Sequence, residues 1–174
     1  MIIDDNMTTI TQNRNEKIEI FVDVMNVEKA AGRDVVDYPC MIRCLAKGRQ
    51  ISVVRAYDQI VENNPDQKRL HLSLKNEKIR IIIPKARCFN KDKQIGVDVQ
   101  LTTDVVTSSI RSSCDTILII SGDGDFIPLI DAVKVSGKKI EFASFSEEAN
   151  MNLVDEVDHF TFLDDLPICR EVVA

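Results

Sequence analysis

The sequence predicts an α/β fold, a three-layer α/β/α sandwich around a mostly parallel central sheet. Three observations carry that prediction. Short runs of β-branched and apolar residues alternate with stretches of helical periodicity, the pattern of helices packed on both faces of a parallel sheet. The run Ile117-Leu118-Ile119-Ile120 is wholly apolar, as a buried strand is. A length of 174 residues with 44% hydrophobic content suits one domain with a sizeable core.

Taken in order, residues 1–16 are polar and read as a flexible leader. Residues 17–166 read as one domain and 167–174 as a C-terminal tail. Residues 18–23 form the first expected strand, and 38–47 a helix ending near Gly48. Residues 51–57, rich in β-branched side chains, form the second strand. Residues 62–66 are a turn. The stretch 67–76 is ambiguous: Leu70 and Leu74 suit a helix, whereas the alternation Leu70-His71-Leu72-Ser73-Leu74 suits a strand. A parallel sheet needs a crossover there, which favours the helix. Residues 79–83 make a third strand closed by Pro84, and 96–111 a helix. Residues 116–120 make the fourth strand, 126–135 a helix stopped by Gly137, and 139–143 the fifth strand. A short helix at 147–154 and a last strand or edge segment at 160–163 complete the pattern.

The most telling segment is Ser121-Gly122-Asp123-Gly124-Asp125-Phe126, a tight turn between a buried strand and a helix start. In open parallel sheets, ligands bind outside the carboxyl ends of the strands. Two carboxylates one residue apart are costly to hold together there, and a cation between them relieves the repulsion. Asp125 also suits capping the helix that begins at Phe126, with Pro128 in its first turn. Capping needs only one acid, so the pair favours a divalent-metal site. Asp23 ends the first strand, and Asn26 three residues later suits either phosphate or water contact or local turn chemistry. In Gly96-Val97-Asp98-Val99 and onward, Val97, Leu101 and Val105 share a helix face. Asp98 falls in the first turn, where an acid complements the helix dipole. Asp104, six residues on, points roughly 120° away from it.

The ordered set Phe21-Val22-Asp23-x-x-Asn26, Gly96-Val97-Asp98-Val99 with Asp104, and Ser121-Gly122-Asp123-x-Asp125-Phe126 with Leu129 resembles the NYN domain family, PIN-like ribonucleases of LabA type. The resemblance runs from about residue 18 to 163, and the last block is its most specific part. It implies a PIN-like fold with acids around Mg²⁺ or Mn²⁺ at the carboxyl edge of the sheet. Carried over, Asp23, Asp98, Asp123 and Asp125 are the implied metal set, Asp104 a fifth acid near the site, and Asn26 and Ser121 polar partners. Val24 departs from the glycine common after the first Asp, which implies a slightly different turn.

The net charge is −6, but its distribution is uneven. Residues 40–93 hold 13 basic and 5 acidic side chains, and the remainder 9 basic and 23 acidic. The segment 84–93 carries Lys85, Arg87, Lys91 and Lys93 with Phe89. It reads as an exposed loop able to hold a phosphate backbone and stack a base. Arg49 is expected to guide the strand as well. The five cysteines, with only two histidines, give no zinc spacing and read as reduced thiols. No apolar run approaches a membrane span, and the acidic start lacks a signal-peptide core, so a cytoplasmic protein is expected.

The expected function is metal-dependent hydrolysis of single-stranded RNA, with Asp23, Asp98, Asp104, Asp123 and Asp125 as the catalytic acids. A non-catalytic RNA- or nucleotide-binding module using the same pocket is the alternative. A receiver-type domain fits less well, because such domains pair acids near the first strand and here the pair follows the fourth. A homodimer would extend the basic surface.

Overall fold

Strand β1 (Lys17–Asp23) lies in the middle of the sheet, and its alternation divides the molecule into layers. The computed structural model describes residues 15–32, 34–61, 63–84 and 96–170. Around β1 are β3 (Gln50–Tyr57), β4 (Arg80–Ile82), β5 (Thr116–Ile120), β6 (Lys139–Ser144) and β7 (His159–Phe162), in the order β4-β3-β1-β5-β6-β7. Every neighbouring pair in this sheet is parallel. Two residues of β2 (Val35–Val36) pair antiparallel with β8 (Cys169–Arg170) in a separate short ladder.

Helices cover both faces. Ile18, Ile20 and Val22 of β1 pack with Val27 of α1 (Val24–Ala31), Met41 and Leu45 of α2 (Tyr38–Ala46) and Leu74 of α3 (Pro65–Asn76). Phe21 points the other way. It joins Val97, Leu101 and Val105 of α4 (Val97–Arg111), Leu129 and Val133 of α5 (Ile127–Val135) and Leu153 of α6 (Met151–Glu156). The period of two in the strands therefore yields two cores on opposite faces, the α/β/α sandwich that the sequence predicts. Strands run outward from β1 to β3 and β4 on one side and from β5 to β6 and β7 on the other. The direction of winding reverses between β1 and β5, which is the topological switch point.

Local chemistry explains the ends of the elements. The ambiguous stretch is helical because Asn64 accepts hydrogen bonds from the Asp66 and Gln67 amides and Pro65 occupies the first turn. Asp37 caps α2 in the same way through the Cys40 amide, and Pro39 follows in its first turn. Glu19, the one charged residue between the two ends of β1, is buried but satisfied: Arg55 lies 3.1 Å away, and the Ser108 and Ser112 hydroxyls donate to its carboxylate.

Three features depart from the sequence expectation. A helix, α1, follows Asp23 at once, where only a turn was expected. Residues 169–170 form a strand inside the expected tail. Glu16, expected in the leader, is part of the fold, since its carbonyl accepts from the Gln50 amide and its carboxylate from Thr116.

Candidate active site at the carboxyl edge of the sheet

Parallel register brings the first two site residues together. Val22 is opposite Ile120, so Asp23 and Ser121 leave the sheet side by side at the switch point. The Ser121 hydroxyl donates to Asp23 Oδ2 at 3.1 Å, and the Asn26 amide donates to Oδ1 at 3.2 Å. Asp23 thereby caps α1, and Val24 packs into the core as the first residue of that helix. Asn26 reaches across to β5, its Oδ1 accepting from the Gly122 amide at 2.9 Å. One side chain after each of two adjacent strands thus ties the β1 and β5 loops into a single unit.

The Ser121–Phe126 turn is built differently from the simplest capping expectation. Asp123, not Asp125, is the capping acid: its Oδ1 accepts from the Asp125 amide at 2.9 Å, which opens a short 3-10 turn, Gly124–Phe126. The Asp125 side chain is exposed and takes no part in capping α5. The two glycines also have a structural cause. A Cβ on Gly122 would collide with the Glu148 carbonyl and the Ser144 hydroxyl, and one on Gly124 with the Asn150 amide. They admit the segment 148–150 against the turn, where the Asn150 amide donates to the Gly122 carbonyl at 3.0 Å. A cleft of about 570 Å³ lies between this segment, α1 and the turn. Asp23, Asn26, Lys29, Asp123, Glu148 and Asn150 are among its lining residues.

Electrostatics join Asp98 to the group. Burial pushes Asp23 up to about 6, aided by the charges of Asp98 and Asp123 and opposed by its two hydrogen bonds. Burial also raises Asp98 above the usual carboxylate range, with the charges of Asp123 and Asp125 adding to the effect. Four carboxylates from three elements therefore act on one another. Asp98 Oδ1 is buried and has no hydrogen-bond partner among the described residues. An unmet buried carboxylate oxygen is costly in a finished structure and suits a ligand position for a cation. The donor set is all hard oxygen, the chemistry of Mg²⁺ or Mn²⁺. Among the described residues, no three acids as they stand close on one ion position. The chemistry of the set and the orphaned oxygen fit a divalent cation.

The structure does not bring every expected residue here. Asp104 has both oxygens engaged, one by Tyr57 Oη at 2.8 Å and the other by Gln100 Nε2 at 3.0 Å, and so anchors α4 to β3. Arg49 precedes β3 at the opposite edge of the sheet, where Lys17 pairs with Gln50. Six residues of strand, about 20 Å, separate that edge from Asp23. Its guanidinium is buried, paired bidentately with Glu141 at 2.7 and 2.8 Å and donating to the Leu45 and Ala46 carbonyls. It braces the amino edge of the sheet, and no guanidinium atom is left to guide a nucleic-acid strand. Lys85, Arg87, Phe89 and Lys93 lie outside the described residues.

Sequence reasoning missed Lys29, Glu147, Glu148 and Asn150, which line the cleft. The glycines at 122 and 124 were the available signal, since each needs a close neighbour to explain it. Asp58 was missed too, although it follows β3 at the same sheet edge. It is buried and satisfied by the Gln59 amide, by Gln67, and by His71 at 2.6 Å, so it is an internal anchor.

The comparisons agree with this architecture. Among solved structures, the chain is similar to a protein of unknown function from Vibrio parahaemolyticus, with 25% identity and a TM-score of 0.76. The alignment covers 94% of this chain and 98% of that one. No curated protein matches the sequence. The NYN domain model matches residues 17–164, from the first residue of β1 to just past β7, and that family implies nuclease-type activity. With the match spanning its whole parallel sheet and the acids at that sheet's switch point, the chain belongs to the NYN domain family.

Proposed function

We propose that the protein is a divalent-metal-dependent ribonuclease that hydrolyses phosphodiester bonds of single-stranded RNA. The observation that carries the reading is the buried Oδ1 of Asp98, which has no hydrogen-bond partner among the described residues, beside Asp123 and Asp125, with Asp23 at the adjacent strand end. Asp23, Asp98, Asp123 and Asp125 would hold Mg²⁺ or Mn²⁺. Such a cation, when bound, lowers the pKa of a coordinated water and offsets charge on the phosphate oxygens.

The chain's own residues divide the remaining work. Ser121 and the Asn26 amide fix both oxygens of Asp23, so its carboxylate is oriented before any ligand arrives. Asp123 is held by the Asp125 amide, which leaves its second oxygen for the site. Asp125 is exposed to solvent. Phosphate contact by the segment 84–93 would add affinity through Lys85, Arg87 and Lys93, with Phe89 as a stacking surface.

The test is cleavage of an end-labelled single-stranded RNA in Mg²⁺, Mn²⁺ or EDTA. An Asp123→Asn protein is run in parallel, whose amide oxygen can still accept from the Asp125 amide. Cleavage that needs metal and disappears in Asp123→Asn is the expected result. RNA retention without metal-dependent cleavage would favour the non-catalytic binding module instead.

A further inference from the structure

The 570 Å³ cleft extends from the acids along α1 to residues 147–150 and is within the size range of small-ligand sites. We infer that this cleft is a one-nucleotide subsite adjoining the carboxylates, with Lys29 binding a phosphate and the side-chain amides of Asn26 and Asn150 donating to the nucleotide. The inference rests on the ribonuclease reading above.

The orientation of both amides follows from their backbone partners. Asn26 Oδ1 accepts from the Gly122 amide at 2.9 Å, and Asn150 Oδ1 accepts from the Asn152 amide at 3.0 Å. A backbone N–H requires an acceptor, so the oxygen of each side chain is spent and its NH₂ is the end left for a ligand. The Asn150 NH₂ packs directly over Gly124, between the two acids of the turn. Two donor groups thus border one cleft beside Asp123.

Lys29 is the one cation among the described residues lining the cleft. Its ammonium pairs with Glu148 at 2.8 Å, with side-chain exposures of 70% and 23%. Ion pairs that exposed contribute little net stability, so exchanging Glu148 for a phosphate oxygen costs little. Glu148 therefore keeps the lysine over the cleft and yields it to a more strongly charged anion. The remaining wall residues Glu147, Asp123 and Asp23 disfavour a free anion, which makes nucleotide entry depend on the cation held by the acids.

The test measures binding apart from catalysis. A fluorescent single-stranded RNA decamer is titrated by anisotropy in Ca²⁺, which takes the same oxygen ligands and leaves the acid set intact, into protein carrying the single changes Lys29→Met, Lys29→Arg, Asn150→Ser and Glu148→Gln. Serine retains the helix cap of α6 and lacks the NH₂, so it separates capping from ligand contact. Lys29→Met is expected to weaken binding about 5- to 10-fold and to lower the log–log salt slope by about 0.7, the value of one single-strand phosphate contact. Lys29→Arg should restore the slope, Asn150→Ser should weaken binding about threefold, and Glu148→Gln should tighten it. Unchanged affinity and slope in both Lys29→Met and Asn150→Ser, in a protein whose wild type cleaves RNA, would overturn the subsite alone. A wild type that neither retains nor cleaves RNA overturns the ribonuclease reading and the subsite with it.

Discussion

Replacing Asp23 by Asn should stabilise the metal-free protein, and the gain should depend on pH in a defined way. Asp23 is 2% exposed and lies beside Asp98 and Asp123. Its pKa rises from 3.8 to about 6 on folding, mainly through burial. The native state therefore holds this proton more tightly than the unfolded chain. Between about pH 4 and 6 the unfolded chain has lost the proton and the native state has not, so this group's contribution to stability falls as pH rises. That is the opposite sign to an ion-paired carboxylate. A shift of roughly two units at about 1.4 kcal/mol each gives a ceiling near 3 kcal/mol above pH 6. For a chain of this size that corresponds to about 6–12 °C in Tm. Asn resembles the protonated acid, and it can accept from the Asn26 amide and donate to Ser121. Thermal melts of both proteins in EDTA from pH 4 to 8 provide the check. The variant should match the wild type at pH 4 and exceed it increasingly up to about pH 7. A difference that does not vary with pH, or a variant less stable at pH 8, would refute the reasoning.

Other substitutions test the scaffold. Gly122→Ala drives a methyl group into the Glu148 carbonyl and the Ser144 hydroxyl, and should cost about 1–3 kcal/mol in urea unfolding as the cleft wall is displaced. Arg49→Ala leaves Glu141, 12% exposed, without its bidentate partner and should lower stability by about 3–5 kcal/mol, read from the same denaturation curves. Tyr57→Phe removes the phenol that donates to Asp104 and should cost about 1.5–3 kcal/mol, with Tm as the readout.

The fold was largely legible because each strand has enough apolar residues to show its period. The capping chemistry at Asn64-Pro65 resolves the one ambiguous stretch in favour of the helix. The acids of the site were legible because strand ends and glycine-flanked turns are local signals. What escaped was non-local. Asp104 looked like a site acid, but its partner Tyr57 is 47 residues away, and Arg49 looked free, but its partner Glu141 is 92 away. Each side chain is held by a long-range partner that no spacing rule reveals. Lys29 and Asn150 were missed for the converse reason. One reads as a surface lysine and the other as an ordinary helix cap, and they share a cleft only once β1, β5 and β6 are aligned. The two-residue ladder of β2 and β8 is too short to display a period at all.

The central claim is that Asp23, Asp98, Asp123 and Asp125 bind a divalent cation. Mn²⁺ binding followed by electron paramagnetic resonance at pH 7.5, on wild type and Asp98→Asn, tests it most directly. Asp98 is the informative choice because its buried Oδ1 has no protein partner to lose among the described residues. The account predicts saturable Mn²⁺ binding to the wild type and at least tenfold weaker binding to Asp98→Asn, a difference of about 1.4 kcal/mol or more. Equal affinity in the two proteins, or no binding to the wild type, would contradict it.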